Sequence, residues 1–285
     1  TRHSRSGMAD QQAGRARSFM GRKRKRNQLN KPKMATIVTF EELGNYMLPE
    51  KTDTYVPVGH QQLVNTVKRI GSDHFNHEPL NGQFEVNKTG AQMFGTLSWQ
   101  GDDGSNISVG FRNSYDKSMA VGLCAGAQIV VCSNMMFAGD VLSMRKHTGN
   151  ITSDLDDLVE DLVKQADGIY AKTVDDSHLM QEMRLTDSMV GDFFGQLFVN
   201  EGILNGSQLK KATSEWFKSP TFKDRTVWSA YNAVTEALKS SHTSHALDKY
   251  TCLHKYTEDY FLKDFRNHVD KETLELIETE NYLSL

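Results

Sequence analysis

Residues 118–139 carry no charged side chain, and this feature most restricts what the chain can fold into. The stretch lies between Lys117 and Asp140, in a chain where charged residues make up 24% of the total. An uncharged segment of this length is either a helix that crosses a membrane or a set of strands inside a sheet.

The composition of the uncharged stretch favours strands. A membrane helix needs about 20 predominantly apolar residues, but Gln128, Ser133 and Asn134 interrupt this one. The segment AQIVVCS is rich in β-branched residues, which pack well in strands. We therefore expect no membrane insertion.

The sequence upstream alternates as a half-buried strand does. In NISVGFRNS, Ile107, Val109 and Phe111 fall on one face, and the other face holds Ser108, Gly110 and Arg112. The preceding segment ends at Trp99, and GDDG (101–104) is typical of a turn. Residues 83–133 are thus predicted to form an antiparallel sheet, with the apolar face beneath a helix that starts after residue 150.

The remaining sequence has helical periodicity. The segment from His60 predicts a helix that stops at Gly71, and Ser153 is the expected N-cap of the helix after residue 150. Further apolar stripes cover 227–238 and 250–261, and a last helix is expected near KETLELIETE. The predicted class is α+β: an antiparallel β-meander packed against helices, with a helical C-terminal half.

Charge divides the chain. Residues 1–33 hold 11 Lys and Arg against one Asp, and the other residues hold 22 basic against 35 acidic side chains. The first segment is predicted to be a disordered basic tail. There are two alternatives: it is an arm that binds nucleic acid, or it is an upstream segment that precedes a natural start at Met34. The predicted organisation is this tail, a main domain over 34–245 and a C-terminal helical extension over 246–285.

The three cysteines, Cys124, Cys132 and Cys252, form no metal-ligand pattern. They are expected to be buried free thiols in the cytoplasm, which would be that of a bacterial host if the gene belongs to a phage or plasmid.

A search for catalytic chemistry gives no candidate residue. The chain has no phosphate-binding GxxxxGK[ST] motif. The pairs His74/His77 and His242/His245 have no third ligand at motif spacing, and the carboxylates that follow Ser153 suit a solvated helix face. We predict no catalytic residue, metal or cofactor, and a protein that is not an enzyme.

A polar cluster at strand ends is the candidate site. Its predicted nucleic-acid-binding residues are Arg112, Asn113, Tyr115, Lys117, Arg145, Lys146 and His147. Cations neutralise phosphates and Tyr can stack on a base, although the same residue types are also common in ordinary turns. The two halves of the cluster are neighbours only if the chain folds back near Gly139.

Several motifs within 50–245 resemble a known family. FRNSYDKSMAVGLCAGAQIVVCSNMMFAGD (111–140), followed by MRKHTGNI (144–151), is similar to proteins of the domain-of-unknown-function family 932. That family carries an NSHDGS-like turn, a strand ending in VCSNG or VCTNG, and a segment like RRRHTGN. Here Tyr115 stands where His is common and Met135 where Gly is common. TYVPV (54–58) and WSAYNAVTEAL (228–238) also look like family sequence, and the resemblance implies a phage or plasmid origin.

Two classes of function remain open. The first is a single-stranded DNA-binding or strand-annealing protein, because the predicted order of elements is similar to that of annealing proteins that form rings; a homo-oligomer is then expected. The second is a non-enzymatic interaction protein, such as an inhibitor of host defence or a virion component. The acidity of residues 34–285 counts against the first, although a local basic groove can coexist with an acidic body. Oligomeric state would separate the two.

Overall fold

An antiparallel sheet of six strands forms the centre of the protein. The computed structural model describes residues 35–101, 105–129, 135–220 and 223–264. The strands lie in sequence order, each antiparallel to the next. They are β1 (Thr36–Val38), β2 (Asn81–Val86), β3 (Gln92–Gln100), β4 (Ser105–Ser114), β5 (Val121–Ile129) and β6 (Met135–Arg145). The predicted meander is confirmed, and the uncharged stretch provides β5 and the start of β6.

In the described residues, six α-helices pack around the sheet, and five of them follow it in the chain. They are α1 (His60–Phe75), α2 (Ile151–Glu182), α3 (Asp187–Val199), α4 (Gly206–Lys218), α5 (Val227–Leu238) and α6 (Ala246–Thr257). A π-helical turn at Glu258–Leu262 continues α6. The described residues form one compact unit, and the fold is α+β as predicted.

The first face of the sheet packs on α1 and α2. Ile107, Val109 and Phe111 of β4 are buried here together with Leu63 of α1 and Leu155 of α2. Every second residue of β4 therefore contributes to this core, which is what the alternation in NISVGFRNS predicted. The burial of this strand under the helix that follows residue 150 is confirmed.

The second face of the sheet is also covered, so the prediction of a half-buried β4 was wrong. Ser108 and Arg112 are buried as well, because the C-terminal helices fold back over this face. Phe137 of β6, for example, meets Tyr250 of α6 at a ring-centroid distance of 6.2 Å. Some polar side chains on this face of β4 hydrogen-bond within the sheet, and the hydroxyls of Ser98 and Ser108 are 2.7 Å apart.

Two predicted helix ends need correction. α1 continues through Gly71 and ends at Phe75, and the C-cap residue Asn76 takes the left-handed conformation at φ 61°. Gly71 serves packing instead, because a Cβ there would lie 2.4 Å from Trp99 Cζ2. α2 begins after Asn150, and Ser153 lies inside the first turn, where its hydroxyl donates to the Asn150 carbonyl at 2.8 Å.

The C-terminal part of the described chain contributes to the core. Leu247, Leu253 and Leu262 are buried against the second face of the sheet and its covering helices. The tail at 1–33 and the last expected helix near 271–280 lie outside the described residues. Cys124 is buried as expected, whereas Cys252 is exposed because it lies on the outer side of α6. In the part of the chain that the structure describes, no helix is both long and apolar enough to cross a membrane.

Candidate nucleic-acid interface

The meander brings both halves of the predicted cluster to one end of the sheet. Asn113 of β4 pairs with Met93, Arg112 pairs with Gly122, and Val121 pairs with Arg145. The turn 87–91, the turn 115–120 and the segment 145–150 consequently lie side by side. We call this end of the sheet, with these residues, the motif end. Because β6 runs antiparallel to β5, the two halves of the cluster are neighbours. The expected return of the chain near Gly139 was wrong, since Gly139 lies inside β6 and pairing with β5 already begins at Met135.

Asn113 and His60 form a buried polar contact at the motif end. Asn113 Nδ2 donates to the Val58 carbonyl at 2.7 Å and lies 3.0 Å from His60 Nδ1, and His60 Nε2 lies 3.0 Å from the Gly90 carbonyl. An imidazole between a donor and a carbonyl accepts at Nδ1 and donates at Nε2, so this His60 is neutral. Burial lowers the pKa of His60 to about 4 against the opposing hydrogen bond to Gly90, which agrees with that assignment.

Tyr115 packs on His60. Their rings are stacked with centroids 3.8 Å apart and an interplanar angle of 7°, and the His60 backbone N–H donates to the Tyr115 hydroxyl at 2.8 Å. The Tyr115 side chain is half-buried, and burial raises the pKa of its hydroxyl. Tyr115 is thus a neutral, positioned aromatic ring at the protein surface.

A second aromatic pair joins the segment before α1 to the end of β6. The rings of Tyr55 and His147 have centroids 5.3 Å apart, and the Tyr55 hydroxyl donates to the Ser114 carbonyl at 3.2 Å. His147 Nδ1 lies 3.3 Å from the Val56 carbonyl, and burial lowers the pKa of this imidazole. His147 is buried, so it acts as a structural contact between the two segments.

Arg112 points to the second face of the sheet and is buried there. Its Nη1 lies 2.5 Å from Asp248 Oδ2 of α6, and its Nη2 lies 3.5 Å from the sulfur of Met144. The guanidinium joins the centre of the sheet to the C-terminal helix. This pairing, together with burial, leaves Arg112 little surface for an external phosphate.

Three of the predicted residues are exposed cations at the motif end: Lys117, Arg145 and Lys146. Lys117 Nζ lies 4.8 Å from the centre of the Tyr55 ring, and its backbone takes φ 63°. Arg145 pairs with Asp154 at the start of α2. The structure therefore gives three exposed cations and one half-buried ring, whereas Arg112, Asn113 and His147 are buried.

Sequence reasoning missed His60, Tyr55 and Asp248. Tyr55 lies in TYVPV (54–58), and His60 lies two residues after it. This segment was noticed only because it resembles family sequence. A histidine at the first position of a helix, directly after such a segment, could have indicated a residue of the site. Asp248 gives no signal, because it is 136 residues from Arg112 in the chain.

The histidine and carboxylate clusters have protein partners. His74 Nε2 lies 2.9 Å from Asp167, and Asp156 pairs with Arg69 at 2.6 Å. The rings of His242 and His245 are 6.3 Å apart. Within the described ranges, no group of three or more His, Cys, Asp or Glu side chains could hold a metal ion.

The structure is that of an α+β protein in which helices cover both faces of a six-stranded meander. Polar and aromatic side chains gather at one end of this sheet, the motif end. A family model described as a domain of unknown function (DUF932) matches residues 51–272. The chain belongs to this family, as the motifs predicted. Comparison with curated proteins found no match, and comparison with solved structures found none.

Proposed function

We propose that the protein binds single-stranded nucleic acid at the motif end. The observation that carries the proposal is that the exposed cations Lys117, Arg145 and Lys146 lie at the same end of the sheet as the half-buried ring of Tyr115. Cations that follow a phosphate backbone and an aromatic ring that receives a base are the two elements of sequence-tolerant single-strand binding.

The cations supply the attraction to phosphate. Lys117 and Lys146 are exposed, and a phosphate near Arg145 would replace Asp154 as its partner. Lys88, exposed in the turn 87–91, adds a fourth cation at the same end. A local group of cations of this kind can attract phosphate even though the body of the protein is acidic.

Tyr115 supplies the stacking surface. His60 lies against the ring at 3.8 Å and fixes its orientation, so little side-chain entropy remains to be lost when a base adds to the stack. Neutral His60 is buried below the ring, and a base would extend the His60–Tyr115 stack outward.

The proposal extends to a strand-annealing role in a mobile genetic element, within the cytoplasm of a bacterial host. The order of helix, meander and long helix supports it by analogy of fold alone. A homo-oligomer, such as a ring, is part of the same proposal, because annealing requires two strands to be held along a continuous surface.

Fluorescence anisotropy with a labelled single-stranded oligonucleotide tests the proposal. A variant that begins at Met34 should be used beside the full chain, because 11 basic residues in 1–33 would bind any polyanion. We expect the shortened variant to bind at low salt, and to bind a duplex of the same sequence more weakly because paired bases cannot stack on Tyr115. Lack of binding at low salt would contradict the proposal and favour the non-enzymatic interaction protein.

A further inference from the structure

A cavity lies on the second face of the sheet, remote from the turns of the motif end. It has a volume of about 260 Å³ between β1, β2 and β3 on one side and the ends of α5 and α6 on the other. Its exposed lining residues, which mark the opening, are Ile37, Gln83 and Lys239. Since about 10–15 Å³ on this measure is enough for one water, the cavity is large enough for a small organic molecule.

A polar group in this cavity lacks a protein partner. Thr96 is only 2% exposed, and its hydroxyl has no hydrogen-bond partner in the structure. Tyr250 lies on the opposite wall and is itself buried. Buried hydroxyls in proteins nearly always have partners, so the Thr96 hydroxyl indicates that something else completes the site.

Glu85 gives the cavity its charge. Its carboxylate accepts from Gln83 Nε2 at 3.0 Å, and no Lys, Arg or His of the described chain pairs with it. Burial raises the pKa of Glu85, as expected for a carboxylate without a cation beside it. The cation at the opening, Lys239, is already paired with Glu236 at 2.7 Å.

The remaining wall is apolar. Phe94, Met135 and Leu238 are buried there, and Ala246 leaves room between the helix ends. Aromatic faces such as that of Phe94 also attract cations. A ligand that fits must therefore combine a small apolar body with a positive group.

We propose that this cavity binds a small organic amine, with its ammonium on the Glu85 carboxylate and its apolar body against Phe94 and Leu238. The hydroxyls of Thr96 and Tyr250 then complete the polar contacts. The proposal does not depend on nucleic-acid binding, because no residue of the motif end lines the cavity.

Three matched probes test the charge preference on the full chain: phenethylamine, the neutral 2-phenylethanol and the anionic 3-phenylpropanoate. Binding is measured by titration calorimetry, and its place by amide chemical shifts of the isotope-labelled protein. We expect phenethylamine to bind at least about tenfold more tightly than either analogue, with the largest shift changes at Thr96 and Tyr250.

Glu85→Gln keeps the shape of the side chain and removes its charge, so it should weaken phenethylamine binding about tenfold or more. Thr96→Val should weaken binding several-fold without loss of folding, because the hydroxyl has no protein partner to lose. Glu78→Gln, on an exposed carboxylate paired with Lys68, is the matched control and should leave binding unchanged. Equal binding of the three probes, no binding at millimolar concentration, or unchanged binding by Glu85→Gln would overturn the proposal.

Discussion

His60 and Tyr115 are 55 residues apart in the chain and stack face to face, with ring centroids 3.8 Å apart. The contact joins the first residue of α1 to the turn between β4 and β5. Lys117 lies in the same turn as Tyr115, and the exposed cations Arg145 and Lys146 lie at the same end of the sheet.

Removing the Tyr115 ring should weaken single-strand binding. We expect Tyr115→Ala to cost about 1–3 kcal/mol of binding free energy, since a base loses its stacking partner. Tyr115→Phe keeps the ring and loses only the hydrogen bond from the His60 backbone, so its affinity should stay close to that of the parent protein. Anisotropy titrations of both variants measure the difference, and equal affinities for the Ala and Phe variants would exclude stacking at this ring.

Lys117→Gly should stabilise the fold. Lys117 takes φ 63°, a conformation that costs an L-residue about 1 kcal/mol and a glycine almost nothing. We expect the free energy of unfolding in urea to rise by about 0.5–1 kcal/mol. Lys117→Ala is the control, because it removes the same charge and keeps the strain; a stability gain of equal size in the Ala variant would mean that charge, and not backbone strain, is responsible.

The ion pair between buried Arg112 of the sheet and partly exposed Asp248 of α6 should matter for stability more than for binding. Asp248→Ala leaves the Arg112 guanidinium buried with only the Met144 sulfur, so unfolding should become easier by about 1.5–3 kcal/mol. Asp259→Ala removes an exposed carboxylate that pairs with Lys263, and should change stability by less than about 0.5 kcal/mol. The double variant Arg112→Met/Asp248→Ala should lose less than the sum of its single changes. Additive losses in urea unfolding would show that the pair is not coupled.

His60 should make the fold sensitive to acid. Its pKa is about 4 in the folded protein and 6.5 ordinarily, so between these values the unfolded chain binds the extra proton. The contribution of neutral His60 to the free energy of unfolding is fully present above pH 6.5. It is lost progressively as the pH falls toward 4. Between pH 7 and pH 5 the loss amounts to about 2 kcal/mol.

The matched variant for this acid sensitivity is His60→Asn, which cannot titrate. Urea unfolding at pH 7 and pH 5 should show a smaller decline in the variant than in the parent chain. An identical decline in the two proteins would place the acid sensitivity at other groups.

Local patterns in the sequence predicted strands within residues 83–133 and most helices, but not β1, the extent of β6 or what covers the sheet. The alternation around Val109 predicts one buried face, and the same residues cannot show that helices more than 100 residues later cover the other. Arg112 was therefore expected at an open strand end, whereas Asp248, 136 residues away, pairs with it inside. Gly71 was interpreted as a helix stop because glycine is common there; only the position of Trp99 shows that close packing requires it.

At Lys117, by contrast, the local sequence does carry a signal for the backbone conformation. The family motif carries Gly at this position, and the left-handed backbone of Lys117 gives the physical reason. The sequence alone did not show whether the turn 115–120 lies beside the segment after β6. That depended on whether β6 pairs with β5. The register of Val121 with Arg145 shows that it does.

The salt dependence of single-strand binding tests the central claim most directly. In the chain that begins at Met34, the triple variant Lys117→Ala/Arg145→Ala/Lys146→Ala should reduce the log–log salt slope by about 2, since each lost phosphate contact removes about 0.7. The control Lys164→Ala/Lys210→Ala/Lys218→Ala removes three exposed cations on α2 and α4 and should keep the parent slope. Equal slopes for the two triple variants would contradict nucleic-acid binding at the motif end.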